Sequence, residues 1–375
     1  MSRLRPLLVF GTRPEAIKMA PVVAQCRRRG EAIEPIVCGT AQHRQMLDQV
    51  LEWFGIRLDE DLNLMTPNQT LAQLTARCVE GIDEVLVRVR PDCVVAQRDT
   101  TTVMAAALAA FYRRVPMVHV EAGLRTGNLQ APWPEELNRR IADMVTRLHC
   151  APTRRAADCL LAEGVPEGSI RVTGNTVIDA LLETFRRQQA DADPWKRKHA
   201  VLGDSRMVLI TGHRRESFGP GFEAICRAIA ILADRFADCR FVYPVHLNPN
   251  VREPVYRTLA GRENVHLVEP VAYPEFVWLM GRSTLILTDS GGVQEEAPSL
   301  RKPVLVMRET TERPEAVEAG AARLVGTSVE AIVDGVGRLL TDPAAYAACQ
   351  IDHNPYGDGR AAPRIVDWML EQGWS

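Results

Sequence analysis

Residues 93–111 read CVVAQRDTTTVMAAALAAF, a short apolar run that stops at an acid and three threonines and then enters an alanine-rich stretch. Cys93 to Gln97 has the pattern of a buried strand, and the alanines predict a helix whose backbone can approach the sheet closely. Asp99 and the threonines then lie at the strand's C-terminal end. Open α/β sheets bind ligands at that edge, where helix N-termini present partial positive charge. Arg98 stands where so tight a turn favours glycine.

The same alternation of short apolar runs and longer amphipathic ones continues along the chain, the pattern of βαβ units and a parallel sheet. Strands are predicted at Pro6 to Phe10, Ala32 to Cys38, Cys93 to Gln97 and Met117 to Glu121. A second set falls at Met207 to Thr211, Arg240 to Val245, His266 to Val268, Leu285 to Thr288 and Pro303 to Met307. Each set can build its own sheet. The predicted architecture is therefore α/β, two Rossmann-like doubly wound domains with a cleft between them, residues 1–175 and 176–360. A last helical run, residues 361–375, is expected to pack back on the first domain. Asp179 to Lys198 is polar and charged, and predicts a surface helix that ends near Pro194 and connects the two.

The chain has 375 residues, 46% hydrophobic and 25% charged, which suits two globular domains of ordinary size. With 45 basic against 47 acidic residues the formal charge is −2, so no bulk basic field points to nucleic acid or an anionic membrane surface. The nine cysteines are odd in number, scattered and never spaced as CxxC. They are expected to be reduced, in a cytoplasmic protein without structural zinc. No apolar run has the length of a bilayer span, and Leu7 to Phe10 is too short for a signal peptide.

Four constellations carry chemistry. Gly11 to Lys18, GTRPEAIK, follows the first strand, with Pro14 suited to a helix start. Arg13 and Lys18 lie near that helix N-terminus, as phosphate-binding cations or as solvated ones. Leu287 to Glu296, LTDSGGVQEE, runs strand, serine, paired glycine, helix. The glycines let backbone N–H groups approach a diphosphate, Ser290 can donate, and Glu296 can take a ribose diol. It is neither GxGxxG nor a Walker motif, so neither NAD nor an ATP-binding P-loop is indicated. HVEAGLRT and PWPEELNR place Glu121, Glu135 and Glu136 after the fourth strand. On spacing alone the last two read as macrodipole-favoured residues of a helix's first turn. TGHRRESF puts His213 at a strand end beside two arginines, a candidate for stabilising a departing phosphate, and His246 has a similar position.

Taken together, GTRPEAIKMAP, TAQHRQML, DTTT, HVEAGLRT, PWPEE, GNTVIDAL, GHRRESFG, VYPVHLNPNVRE, DSGGVQEEAPSL, VLVMRETTERPEA and HNPYGDGRA resemble the non-hydrolysing UDP-N-acetylglucosamine 2-epimerases. They run in order from Gly11 to Ala361. The resemblance implies a glycosyltransferase-B-like pair of domains, a homodimer, and interconversion of UDP-GlcNAc and UDP-ManNAc without metal or nicotinamide cofactor. C2–H has no neighbouring carbonyl to acidify it. Departure of UDP from C1 makes that proton removable, giving 2-acetamidoglucal, and re-addition with a proton from the other face inverts C2.

By motif, the resemblance assigns Asp99, Glu121, Glu135 and His213 to catalysis. Asp99 and Glu121 would exchange the C2 proton, Glu135 would tune them by like charge, and His213 would steady the leaving diphosphate. It assigns Arg13, Lys18, Ser290, Gly291, Gly292, Glu296 and Arg313 to UDP, with Phe276 near the uracil. Gln42, His43, Gln45 and His246 match positions that bind a second UDP-GlcNAc as an allosteric activator in some members, although those carry an arginine where this chain has Asn68. The main departure is Arg98, where the family motif reads GDTTT. A cation there would pair with Asp99, contact the diphosphate or a substrate carboxylate, or point to solvent. Three other functions compete: the same epimerisation of a UDP-2,3-diacetamido uronic acid, a hydrolysing epimerase that releases ManNAc, and a non-catalytic nucleotide-sugar sensor.

Overall fold

A computed structural model of the chain describes residues 3–40, 44–66 and 68–374. By packing, the chain forms two units, one from the residues up to Ala180 together with those from Tyr356 on, the other from Leu181–Pro355.

Among the described residues, the first unit holds a seven-stranded parallel sheet. Its strands are β1 (Pro6–Phe10), β2 (Ile36–Gly39), β3 (Glu60–Asp61), β4 (Cys93–Gln97), β5 (Met117–Val120), β6 (Thr146–Ala151) and β7 (Ile170–Val172), in the order β3-β2-β1-β4-β5-β6-β7. The strand order reverses direction between β1 and β4. Right-handed crossovers leading away from that point in opposite directions put their helices on opposite faces, leaving a ligand-sized opening at the C-terminal ends of those two strands. β1, β2, β4 and β5 are buried along their whole length, as expected for strands covered on both faces. The helix Thr101–Tyr112 lies between Leu71–Val89 and Glu135–Val145. Its Ala105, Ala106, Ala107, Ala109 and Ala110 are fully buried.

The second unit repeats the plan. β8 (Met207–Thr211), β9 (Arg240–Pro244), β10 (Val265–Val268), β11 (Leu285–Thr288), β12 (Val304–Val306) and β13 (Ala322–Leu324) form a parallel sheet ordered β10-β9-β8-β11-β12-β13. Its reversal lies between β8 and β11, over a core that includes Phe222, Ile225, Phe241, Tyr243 and Ile332.

Several expectations are corrected. The second strand starts at Ile36, not Ala32, because Pro35 interrupts the ladder; Ile33 makes only an isolated bridge to Leu4. β3, β6, β7 and β13 were not expected. β3, β7 and β13 are short edge strands, and β6 hides behind the polar letters Thr146, Arg147 and His149. The connector is two helices, Thr176–Ala190 and Asp193–Lys198, and Pro194 opens the second instead of closing the first.

The helix Ala361–Leu370 belongs to the first unit and packs on Arg13–Arg28. Asp179 receives its leading N–H groups, from Ala361 at 3.1 Å and Ala362 at 2.9 Å. All nine cysteines are free. Among the described residues no helix is long and apolar enough to cross a membrane, and no three His, Cys, Asp or Glu side chains are grouped to hold a metal.

Candidate active site

In the first unit, three loops leave the C-terminal ends of β1, β4 and β5. The loop after β1 is organised by Glu15, three residues past the N-cap Thr12, in a reciprocal capping box. Its carboxylate accepts from Gly11 N (3.2 Å), Thr12 N (2.8 Å), Thr12 Oγ1 (2.7 Å) and, across the strand reversal, Thr100 Oγ1 (2.6 Å). Burial raises its pKa against the lowering effect of these bonds. The T-x-x-E spacing was legible in the sequence, and its role went unread there.

Lys18 is not a surface cation at this helix end. It is buried, and its Nζ donates to both carboxylate oxygens of Glu121, at 2.9 and 2.8 Å. Arg13 sits at the first helical position and is half-buried. Glu121 leaves the sheet with φ 65°, a left-handed conformation uncommon for a side chain of its kind. It is buried, and Gln97 Nε2 and Asn175 Nδ2 (3.4 Å) also donate to it.

Asp99 is likewise buried and paired. Arg139 donates to its Oδ2 at 2.5 Å, Arg98 Nε approaches its Oδ1 at 3.5 Å, and Asn138 Nδ2 donates to its backbone carbonyl at 2.9 Å. Arg98 takes φ 76°, so the turn has the geometry that glycine favours and an arginine occupies it. Of the readings for its side chain, pairing with Asp99 is the one observed.

The glutamate pair separates. Glu136 is buried and accepts from Thr126 N (3.1 Å), Gly127 N (3.3 Å) and Arg140 Nε (3.2 Å), tying down the loop after β5. Glu135, half-buried at the first position of Glu135–Val145, makes no hydrogen bond or ion pair among the described residues. Neither glutamate caps the helix with its side chain.

His119 of β5 and Arg125 of the loop that follows it converge on Asp143. His119 Nδ1 lies 2.5 Å from Asp143 Oδ1, while Arg125 donates to Oδ2 at 2.8 Å and also holds Glu163 at 2.6 Å. Between them, Gly123 (φ 86°) packs so tightly that an added Cβ would stand 2.2 Å from the Ala156 carbonyl oxygen.

In the second unit the loops after β8 and β11 meet at Asp289, which is fully buried. Its Oδ2 accepts from His213 N (2.6 Å) and Arg214 N (2.7 Å), and its Oδ1 stands 3.5 Å from His213 Nδ1. His246 stacks on His213 with ring centres 5.5 Å apart and planes 16° from parallel. His246 thus belongs to the His213 group. Partial burial, with His246 and Arg214 nearby, lowers the His213 pKa against the pull of Asp289, so the imidazole is neutral at pH 7.

Ser290 precedes the short helix Gly291–Glu296, and its hydroxyl makes no cap there. A Cβ on Gly291 or Gly292 would meet no protein atom closer than 3.8 Å, so packing within the unit does not require glycine at either position. Glu296 is buried and accepts from Tyr273 OH at 2.9 Å, with Phe276 one turn further along Tyr273–Arg282. Arg313 is buried against Glu295, its Nε donating to that carboxylate, and NH1 donates to the Glu312 carbonyl at 3.1 Å. Gln42 and His43 lie outside the described residues, and Gln45 falls in the helix Arg44–Phe54.

Two doubly wound units, one presenting buried, cation-paired carboxylates and the other an imidazole, a serine and paired glycines at strand reversals, define a nucleotide-sugar enzyme of glycosyltransferase-B-like fold. The UDP-N-acetylglucosamine 2-epimerase family is matched over residues 24–370, and the chain belongs to it. It is 54% identical over 369 residues to a UDP-N-acetylglucosamine 2-epimerase of Escherichia coli K12, covering 97% of this chain and 98% of that one. A probable UDP-N-acetylglucosamine 2-epimerase of Ralstonia nicotianae is 57% identical over 364 residues, with 96% and 97% covered. The crystal structure of the Neisseria meningitidis UDP-GlcNAc 2-epimerase bound to UDP-GlcNAc superposes with a TM-score of 0.93 at 48% identity, covering 98% of this chain and all of that one.

Proposed function

We propose that this protein interconverts UDP-GlcNAc and UDP-ManNAc. The observation that carries the reading is the pair of buried carboxylates, Asp99 and Glu121, set by cationic partners at the ends of adjacent strands in a chain of this family. The C1–O bond breaks with its electrons passing to UDP, a carboxylate takes the C2 proton, and C1=C2 forms as 2-acetamidoglucal. Delivery of a proton to the opposite face of C2, with return of UDP to C1, gives the epimer. Asp99 and Glu121 serve the proton transfers, and the uncommitted Glu135 biases their charge.

Diphosphate recognition falls to the second unit. The Ser290 hydroxyl and the Gly291 and Gly292 N–H groups receive the phosphate oxygens, and His213 gains a proton as charge builds on the leaving group. Glu296 takes the ribose diol and Phe276 the uracil. Arg13 serves the diphosphate. Arg313 and Lys18, already engaged with Glu295 and Glu121, act through those partners.

Incubation with UDP-GlcNAc in heavy water tests the reading. Deuterium at C2 of both epimers is expected, and its absence would overturn it. Parallel incubation with UDP-2,3-diacetamido uronic acid tests the alternative favoured by Arg98, whose guanidinium stands beside Asp99. Free UDP accumulating in step with ManNAc marks a hydrolysing enzyme. UDP binding without exchange marks a sensor.

We further infer a homodimer. The exposed Val87, Phe111, Tyr112, Leu137 and Met144, on Thr101–Tyr112 and the two helices that flank it, support it. Free cysteines throughout support a cytoplasmic setting.

A further inference from the structure

Asp99 rides on a backbone that resists its own sequence. A non-glycine residue at φ 76°, as Arg98 is, is in a conformation that its Cβ disfavours, so the peptide must be held from outside. Two bonds from β5 hold it. Arg98 N donates to the Val120 carbonyl at 3.0 Å, and the Arg98 carbonyl faces His119 Nε2 at 2.6 Å.

His119 is fully buried, and each of its ring nitrogens faces an oxygen, the Arg98 carbonyl on one side and Asp143 Oδ1 on the other. A neutral imidazole has one N–H and can satisfy one such contact. Both are satisfied by an imidazolium beside a carboxylate, or by a neutral ring beside a protonated Asp143. The second arrangement keeps Asp143 Oδ2 as an acceptor for the Arg125 guanidinium (2.8 Å) and Gly123 N (3.3 Å), but it removes the negative charge that the 2.8 Å guanidinium faces and is disfavoured on that ground. Burial alone would raise the Asp143 pKa, yet His119 and Arg125 bring it down to about 2. For His119 burial again opposes the charge, and Asp143 outweighs it, so the pKa is raised. The groups around the ring also include His149, whose two nitrogens face the Asp143 and Ser169 carbonyls at 3.0 and 3.1 Å, longer contacts with no carboxylate among them, and whose pKa burial lowers, and Glu163, which neutralises Arg125. Glu163, Arg125, Asp143 and His119 alternate in sign and sum to zero.

We propose that His119 is a positioning residue, a standing imidazolium whose Nε2–H clamps the Arg98 carbonyl and thereby fixes Asp99 for proton transfer at C2. The catalytic part rests on the reading of Asp99 as a C2 acid/base. The charge state of the ring does not.

Two measurements test it. In wild-type protein labelled with ¹⁵N-histidine, one histidine is expected to keep two ring N–H protons at pH 8, and its signals to be those missing from H119Q and kept in H149Q; a wild-type spectrum with no such histidine, or one whose signals are lost in H149Q instead, would overturn the proposal. In kinetics, H119N keeps an amide near Asp143 but cannot reach Arg98, whereas H119Q can place its N–H on the Arg98 carbonyl. H119N is expected to lose kcat by about 100-fold with KM little changed, H119Q to recover part of it, and H119N to cost less in an R98G background than in wild type. Equal losses in H119N and H119Q, or strict additivity with R98G, would assign His119 to general stability and sink the positioning role. A wild-type protein that fails to exchange C2–H would refute the epimerase reading and leave the NMR result standing.

Discussion

Lys18 and Glu121 form a buried ion pair, with Nζ 2.9 and 2.8 Å from the two carboxylate oxygens. Removing one partner of such a pair strands a charge away from water, at a cost of about 3–5 kcal/mol. K18M is therefore expected to lower urea stability by about 3 kcal/mol and to abolish turnover. K18M/E121Q should regain most of the stability and none of the activity. A single variant as stable as wild type would show that the pair contributes nothing.

Arg98→Gly removes the Cβ from a left-handed turn. A gain in stability of about 1 kcal/mol is expected by denaturant unfolding. The same substitution frees Asp99 from a guanidinium 3.5 Å away, so C2 exchange on UDP-GlcNAc should quicken. Slower exchange would mean that Arg98 itself contacts substrate.

Burial holds the His213 pKa below the usual imidazole value, and under the proposed role the charge of a bound diphosphate would favour the protonated form. Binding raises its pKa, so the protein takes up a proton as UDP binds, and affinity falls as pH rises through the pKa of the bound state. Titration calorimetry in buffers of different ionisation enthalpy should report this uptake near neutral pH. H213N should show none.

Gly292→Ala separates ligand contact from folding. The added Cβ would be 3.8 Å from the nearest protein atom, so stability should be unchanged. Affinity for UDP should fall by about 10-fold or more if the backbone must approach a phosphate there. Unaltered affinity would remove Gly292 from the site.

Asp179 titrates at about 6, raised from 3.8 chiefly by burial despite its bonds to Ala362 and Ala361 N–H groups. Its folded pKa exceeds the unfolded one, so the folded state holds the proton more tightly. Its contribution to stability is full below pH 3.8 and is lost as pH rises through 6. Urea unfolding at pH 4, 5, 6 and 7 should show this downward component in wild type and its absence in D179N.

The sheets were legible because their strands are near-uniform apolar runs. The strand-end positions of Asp99, Glu121 and His213 were legible because each follows such a run. What escaped was whatever depends on a partner far along the chain. Nothing near Lys18 shows that it pairs with a residue 103 positions away, and Arg139 reads as a helix-surface cation until Asp99 is brought beneath it. Glu135 and Glu136 look alike in sequence. Only folding of the loop after β5 gives one of them backbone donors and leaves the other uncommitted. β6 was missed because a strand that buries a histidine needs carbonyl acceptors, here those of Ser169 and Asp143, which local composition does not reveal.

Glu15 gives the first unit a resident counter-ion. The Gly11 and Thr12 N–H groups, which in a doubly wound sheet would be offered to a nucleotide's phosphate, are already spoken for by a carboxylate from the same chain. A second nucleotide has no seat at that crossover. Two units of one plan therefore differ at their crossovers, the first holding a carboxylate of its own where such sheets offer N–H groups to a phosphate.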